Sequence, residues 1–300
     1  MISSMNEFIV YKKLNESRFS SSFLAHNSNF ESTVVFKKLS FNRQKKKKKY
    51  LSRILEELRI FRRLPVTQYM VRNVEIISQS QFSLILTFEF CKFGNLINWL
   101  LDKSKMNTYD LLDLTRNILM AISYLHENNI FHAFLDPMTI EFRSRNPTSL
   151  ALVHPELSNN YFEYKARKMN PPNYCYSPEM LKLTNKSQIK NNLTPATDMW
   201  SFGGILSLIL ANKSPHEFTK LDEIEEIVEN FYHSPRISSL IKTCFHCEPF
   251  QRVSVSRLLE EFSYPDDIFI LECNLKKNII RIIENNLISV FMRYRLSDRF

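Results

Sequence analysis

Glycine is nearly absent: the 300 residues contain three, Gly94, Gly203 and Gly204, where an average protein has about 7%. None precedes position 94. A phosphate cradle of the kind that needs glycine, whose missing side chain lets backbone N–H groups approach an anion, is therefore excluded from the first third. Cysteine is also scarce, with five residues at Cys91, Cys175, Cys244, Cys247 and Cys273. An odd, scattered set in a chain this long argues against a disulfide framework and for reduced thiols. No apolar run approaches the roughly 18 to 20 residues that cross a bilayer. The N-terminus lacks a basic stretch followed by an apolar segment and a cleavage site. The expectation is an intracellular protein, cytoplasmic or nuclear, with no transmembrane segment.

What is present is 44% apolar residues and a formal charge of +9, enough to bury one large core or two smaller ones. Residues 8 to 39 alternate apolar and polar positions, as in Thr33-Val34-Val35-Phe36-Lys37, which predicts an antiparallel meander. Leu51, Ile54, Leu55, Leu58 and Phe61 recur at helical spacing before Pro65. Strand-like runs follow at 71–77 and 82–90, and helical stripes at 108–126, 198–212, 222–232, 236–246 and 254–262. A β-rich first third joined to a helical remainder is the α+β pattern.

Short motifs lie along these elements in a fixed order. They are Val34-Val35-Phe36-Lys37, Glu57 twenty residues on, Phe88-Glu89-Phe90-Cys91 and Tyr124-Leu125-His126 running to His132. After them come Ser177-Pro178-Glu179, Asp198-Met199-Trp200-Ser201-Phe202-Gly203 and Glu248-Pro249-Phe250-Gln251-Arg252. Order and motifs together resemble the eukaryotic protein kinase family over about residues 8 to 264. The resemblance implies a bilobal fold, with a small β-rich N-lobe carrying the αC helix at 1–90, a larger mainly helical C-lobe at 91–264 and an extension at 265–300. It implies a nucleotide site at Lys37, Glu57, Glu89 and Cys91, with Phe88 as gatekeeper. Structural roles fall to Asp198, Glu179 and Arg252.

Inside the motifs the chemistry departs from the family. Phe134 stands where the family's aspartate takes the substrate proton, and a phenyl ring accepts none. Asp136 replaces the lysine that contacts the γ-phosphate, and Thr139 the asparagine of the second metal site. His154, in His154-Pro155-Glu156, replaces the magnesium-binding aspartate, although imidazole suits softer metals. Asn15, Ser17 and Ser20 replace the glycines of the phosphate loop, and Glu141 falls where an apolar residue supports adenine. These losses lead to the expectation of a pseudokinase: not an enzyme, with no metal or cofactor, and with metal-independent ATP binding at most weak. Its role would be to scaffold or allosterically regulate a protein partner such as an active kinase. The alternative is an atypical or weak ATP-dependent Ser/Thr/Tyr protein kinase that keeps ATP through Lys37 and Glu57.

Lys45 to Lys49, preceded by Arg43, reads as a solvated loop tip. As a functional element it would hold an acidic partner and make the chain a basic nucleic-acid or lipid-binding module. Cys244-Phe245-His246-Cys247 has half the spacing of a zinc site without a second half, and is assigned to a helix end. Thr184 to Thr194 reads as an exposed insert. Beyond Pro265 an apolar stripe from Leu275 to Tyr294 among basic residues predicts an amphipathic helix docked on the helical lobe.

Overall fold

The structure is a computed structural model, and it describes residues 7–16, 20–29, 31–40, 47–72, 75–80, 83–102, 108–153, 175–181, 193–211, 222–232 and 235–262. Three strands, β1 (Phe8–Glu16), β2 (Ser20–Asn27) and β3 (Ser32–Ser40), form the expected antiparallel meander. They are followed by α1 (Lys47–Arg63), β4 (Glu75–Gln79) and β5 (Ser83–Glu89). The sheet order is β1-β2-β3-β5-β4, and the β3–β5 register sets Lys37 opposite Leu86 and Val35 opposite Phe88. Strand alternation sends Val35, Leu39, Leu84 and Leu86 into one core, where Leu51, Ile54 and Leu58 of α1 meet them at three- and four-residue spacing.

The second lobe begins with α2 (Leu96–Asp102) and α3 (Thr108–Glu127), then a short hairpin of β6 (Ile140–Phe142) and β7 (Leu150–Leu152). It continues with α4 (Pro178–Leu181), α5 (Pro195–Ala211), α6 (Asp222–Tyr232), α7 (Pro235–Thr243) and α8 (Val255–Phe262). The stripe Leu114, Ile118, Ile122 and Leu125 of α3 packs on Phe202, Ile205 and Leu206 of α5 in one cluster. A β-sheet lobe joined to a helical lobe is the bilobal α+β arrangement read from the sequence.

Three local expectations change. Lys47 to Lys49 form the first turn of α1 rather than a loop tip, because lysine is a good helix former and the apolar stripe starts at Leu51. Residues 71 and 72 are not strand: Val71 N–H donates to Leu152 O at 3.0 Å and Leu152 N–H to Tyr69 O at 2.8 Å. This segment therefore pairs with β7 of the other lobe. Helix α7 ends at Thr243, and Phe245 turns in to meet Trp200 edge-on at 5.5 Å. Gly203 makes that room, since a Cβ there would lie 2.8 Å from the Phe245 ring. The stripe from Leu275 to Tyr294 and most of the Thr184 to Thr194 segment lie outside the described residues.

Candidate active site

The loop between α3 and β6 is braced from below by one carboxylate. Asp198, in the first turn of α5, is fully buried and accepts from His132 N–H at 2.8 Å and Ala133 N–H at 2.7 Å. His126 at the end of α3 completes the set, with Nε2 2.9 Å from Asp198 Oδ2. Ala133 holds φ +63°, a left-handed conformation that disfavours a Cβ, and the bond to Asp198 holds it there. Burial keeps the His132 imidazole below its usual pKa; it is thus neutral, and Nε2–H donates to Val153 O at 2.8 Å.

Phe134 follows this brace and is 2% exposed. Its ring meets Tyr176 edge-on, centroids 6.4 Å apart, within an apolar cluster that includes Met180 and Leu193. Asp136 is engaged inside its own turn, its Oδ1 accepting from Met138 N–H at 2.7 Å and Thr139 N–H at 3.0 Å. The Thr139 hydroxyl donates to Asp136 O at 2.9 Å. These two side chains shape the loop.

Above the loop, Lys37 points from β3 into the protein and is 4% exposed. Burial pulls its pKa down to about 8, opposed by the charge of Glu141. Glu141 on β6 is pushed up to about 7 by burial, opposed by a hydrogen bond from Cys91 and by the charge of Lys37. Cys91 is buried and its thiol pushed up, first by burial and then by Glu141. The Lys37 ammonium and the Glu141 carboxyl are thus near enough for each to feel the other's charge. Glu57 lies on α1 with its side chain outside the described set, as are His154 and Glu156.

Glu89 ends β5 and is held by a residue that the sequence reading passed over. Arg143 Nε donates to Glu89 Oε1 at 2.6 Å and Nη2 to Oε2 at 2.9 Å. Burial raises the Glu89 carboxyl, but the Arg143 hydrogen bonds outweigh it and leave the pKa lowered. No sequence signal marks this pair, whose members are 54 positions apart. On the far side, Arg252 grips Glu179 with two bonds, Nη1 to Oε1 at 2.7 Å and Nη2 to Oε2 at 2.8 Å. The guanidinium also lies 5.0 Å over the Trp200 ring.

The model of the protein kinase domain matches residues 8–262. The chain belongs to the protein kinase family. Among its relatives, the calcium/calmodulin-dependent protein kinase type I of Schizosaccharomyces pombe is 23% identical over 222 residues, covering 69% of this chain and 64% of its own length. The SNF1-related protein kinase catalytic subunit alpha KIN12 of Arabidopsis thaliana is 24% identical over 214 residues, 69% of this chain and 41% of its own. The meiosis-specific serine/threonine-protein kinase mek1 of S. pombe is 27% identical over 180 residues, 57% of this chain and 40% of its own. The chain thus spans less than two thirds of the length of these relatives.

This membership corrects the expectation that the chain is not an enzyme: the kinase domain match and the kinase relatives point to a protein kinase. The physical reason lies in magnitudes. A positioned base contributes about 10²- to 10⁴-fold, whereas enzymes accelerate reactions by about 10⁶-fold or more. A missing base therefore lowers the rate of phosphoryl transfer without removing what binding and orientation supply. Among the described residues no helix is long and apolar enough to cross a membrane. Within the same set, no group of three His, Cys, Asp or Glu side chains is placed to hold a metal ion.

Proposed function

We propose that this kinase domain is an atypical, slow ATP-dependent protein kinase that transfers phosphate to hydroxyl side chains of a protein. The observation that carries the reading is Lys37, an ammonium kept almost wholly buried between the lobes. A polyphosphate entering the cleft would add to the negative charge that Glu141 already sets near this ammonium, and a cation held away from water is attracted strongly to such an anion. The preference for serine and threonine follows the mek1 relative, a serine/threonine-protein kinase. Asp198, Glu179 and Arg252 keep the loop and the segment before α5 in fixed geometry, and positioning supplies most of phosphoryl transfer.

The residues fit the phosphate better than they fit a metal. Lys37 suits an anion, whereas the Thr139 hydroxyl is tied into its own turn. ATP, when bound, supplies the phosphoryl group; Lys37 holds its charge, and the hydroxyl proton leaves to water because Phe134 cannot take it. Binding is weak and does not depend on magnesium. The site works inside a cell, where ATP is abundant. A second reading, a scaffold or allosteric regulator of a protein partner such as an active kinase, is favoured by the Phe134–Tyr176 pair, which sets an apolar contact at the substrate-facing loop.

Thermal unfolding with ATP, with and without magnesium, and phosphotransfer from labelled ATP test the first reading together. ATP raises the midpoint and label reaches a protein substrate, and both are lost in Lys37→Ala. A nucleotide shift without transfer, in the presence of candidate substrates, turns the choice to the second reading. No shift and no transfer sinks the first.

A further inference from the structure

One side chain of the second lobe, its hydrogen-bonding capacity fully used, binds the linker between the lobes. A guanidinium has five N–H donors, and Arg143 has five acceptors for them. Nε meets Glu89 Oε1 at 2.6 Å, Nη2 meets Glu89 Oε2 at 2.9 Å and Met70 O at 3.0 Å, and Nη1 meets Gln68 O at 2.6 Å and Leu150 O at 3.4 Å. These acceptors come from the end of β5, from the segment after α1 and from β7. The main chain beside Arg143 holds the same linker, since Phe93 N–H donates to Phe142 O at 3.1 Å and Phe142 N–H to Gly94 O at 2.9 Å.

The segment at 65–71 is itself anchored to the helical lobe. Tyr124 donates its hydroxyl to Pro65 O at 2.6 Å, and residues 69 and 71 pair with Leu152. Arg143 joins that anchored segment to Glu89, whose Oε2 also accepts from Arg72 N–H at 3.1 Å. Glu89 and Arg143 are 20% and 19% exposed, so the pair is partly shielded from water, where such bonds are stronger. A lysine would not replace it, because one ammonium cannot present two parallel N–H groups to a carboxylate and three more to carbonyls behind it.

We propose that Arg143 is a positioning residue for nucleotide binding: through Glu89 it fixes the 89–93 linker against the β6–β7 hairpin and so presets the separation of Lys37 from the loop below. The proposal rests on the nucleotide-binding reading above. A preset cleft needs less ordering when a ligand enters.

The test compares the full chain with Arg143→Ala, with the milder Arg143→Lys and with Lys242→Met. Lys242 pairs with Asp222 and Glu225 far along the helical lobe, so its variant reports a general loosening. Two readouts are taken: ADP affinity, and amide hydrogen exchange at Glu89 and Phe93 in the nucleotide-free protein. Arg143→Ala is expected to weaken ADP about tenfold, as loss of preorganisation does, and to speed exchange at both amides about tenfold. Arg143→Lys shows the same changes in smaller measure. Millimolar ethylguanidinium restores both properties to Arg143→Ala and leaves Lys242→Met unmoved. Unchanged exchange, or changes that ethylguanidinium does not reverse, overturns the proposal even if ADP binds the parent. If the parent binds no ADP, the nucleotide reading falls and with it the role of Arg143 in binding.

Discussion

The brace beneath the loop between α3 and β6 and the cleft above it bury charge in opposite ways. Asp198 sits at zero exposure with two backbone donors and His126 around it, and Arg252 meets both oxygens of Glu179. Both carboxylates are held in place by short hydrogen bonds. Between the lobes, burial raises Glu141 to about 7 and lowers Lys37 to about 8. There the burial penalty outweighs the pairing, and both charges lie within reach of neutral pH. One region is built to hold geometry, and the other keeps titratable charge near neutral pH.

The sharpest way to break the contrast is Asp198→Ala. It leaves His132 and Ala133 amides buried without an acceptor and releases the left-handed Ala133. A loss of about 3 to 5 kcal/mol, typical of breaking a buried charged network, is expected in urea unfolding; a loss under 1 kcal/mol would show that the brace is replaceable.

Phe134→Asp probes the boundary between the regions. The buried ring is lost and a carboxylate enters an apolar cluster, so stability falls by about 3 kcal/mol. Phosphotransfer is nonetheless expected to rise about 10²-fold, the lower end for a positioned base, measured as initial rate per folded protein. An unchanged rate would mean that the framework below does not aim that position at a substrate.

Arg252→Met breaks the second fixed pair and costs about 3 kcal/mol. The pH dependence carries its sign. Glu179 is depressed in the folded state, its Arg252 hydrogen bonds outweighing burial, so its contribution is present above the unfolded carboxylate pKa and lost as pH falls through the folded one. Acid unfolding of the parent should therefore include a drop below the ordinary carboxylate range, and Arg252→Met should lack it.

Glu141→Gln is the mildest change and sharpens the other side. A folded pKa raised from 4.5 to about 7 means stability fully present below 4.5 and lost as pH rises through 7. Lys37, lowered to about 8, runs the other way, stability recovering as pH rises from 8 toward 10.5. Melting curves from pH 4 to 8 should decline in the parent and flatten in Glu141→Gln; parallel curves would show that Glu141 is not the group responsible.

How far these features were legible in the chain follows from how local they are. The meander, α1, α3, α5 and α6 were visible because alternation and three-to-four spacing report burial within one element. The segment at 71 and 72 was misread as strand because Val71 serves a bridge to Leu152 rather than the sheet, and apolar character alone does not say which partner buries it. In the site, once the family resemblance marked the positions, the missing base and the glycine-free loop were plain, since residue type decides whether a side chain can take a proton or let an amide approach. Their consequence for activity was misjudged, because a motif reports which groups are present and not how much rate the remaining ones supply.

The sequence by itself determined the β-rich and helical halves and the strand that carries Lys37, which follow from periodicity, while the family resemblance of its motifs marked Phe134 as the base position. Only the tertiary structure decided that Arg143 grips Glu89, that Asp136 caps its own turn, that Gly203 admits Phe245 and that Glu141 feels the charge of Lys37. Each of these depends on distances between atoms that chain folding brings together, and the strength of a charge or a hydrogen bond is set by those distances and by the water that packing excludes.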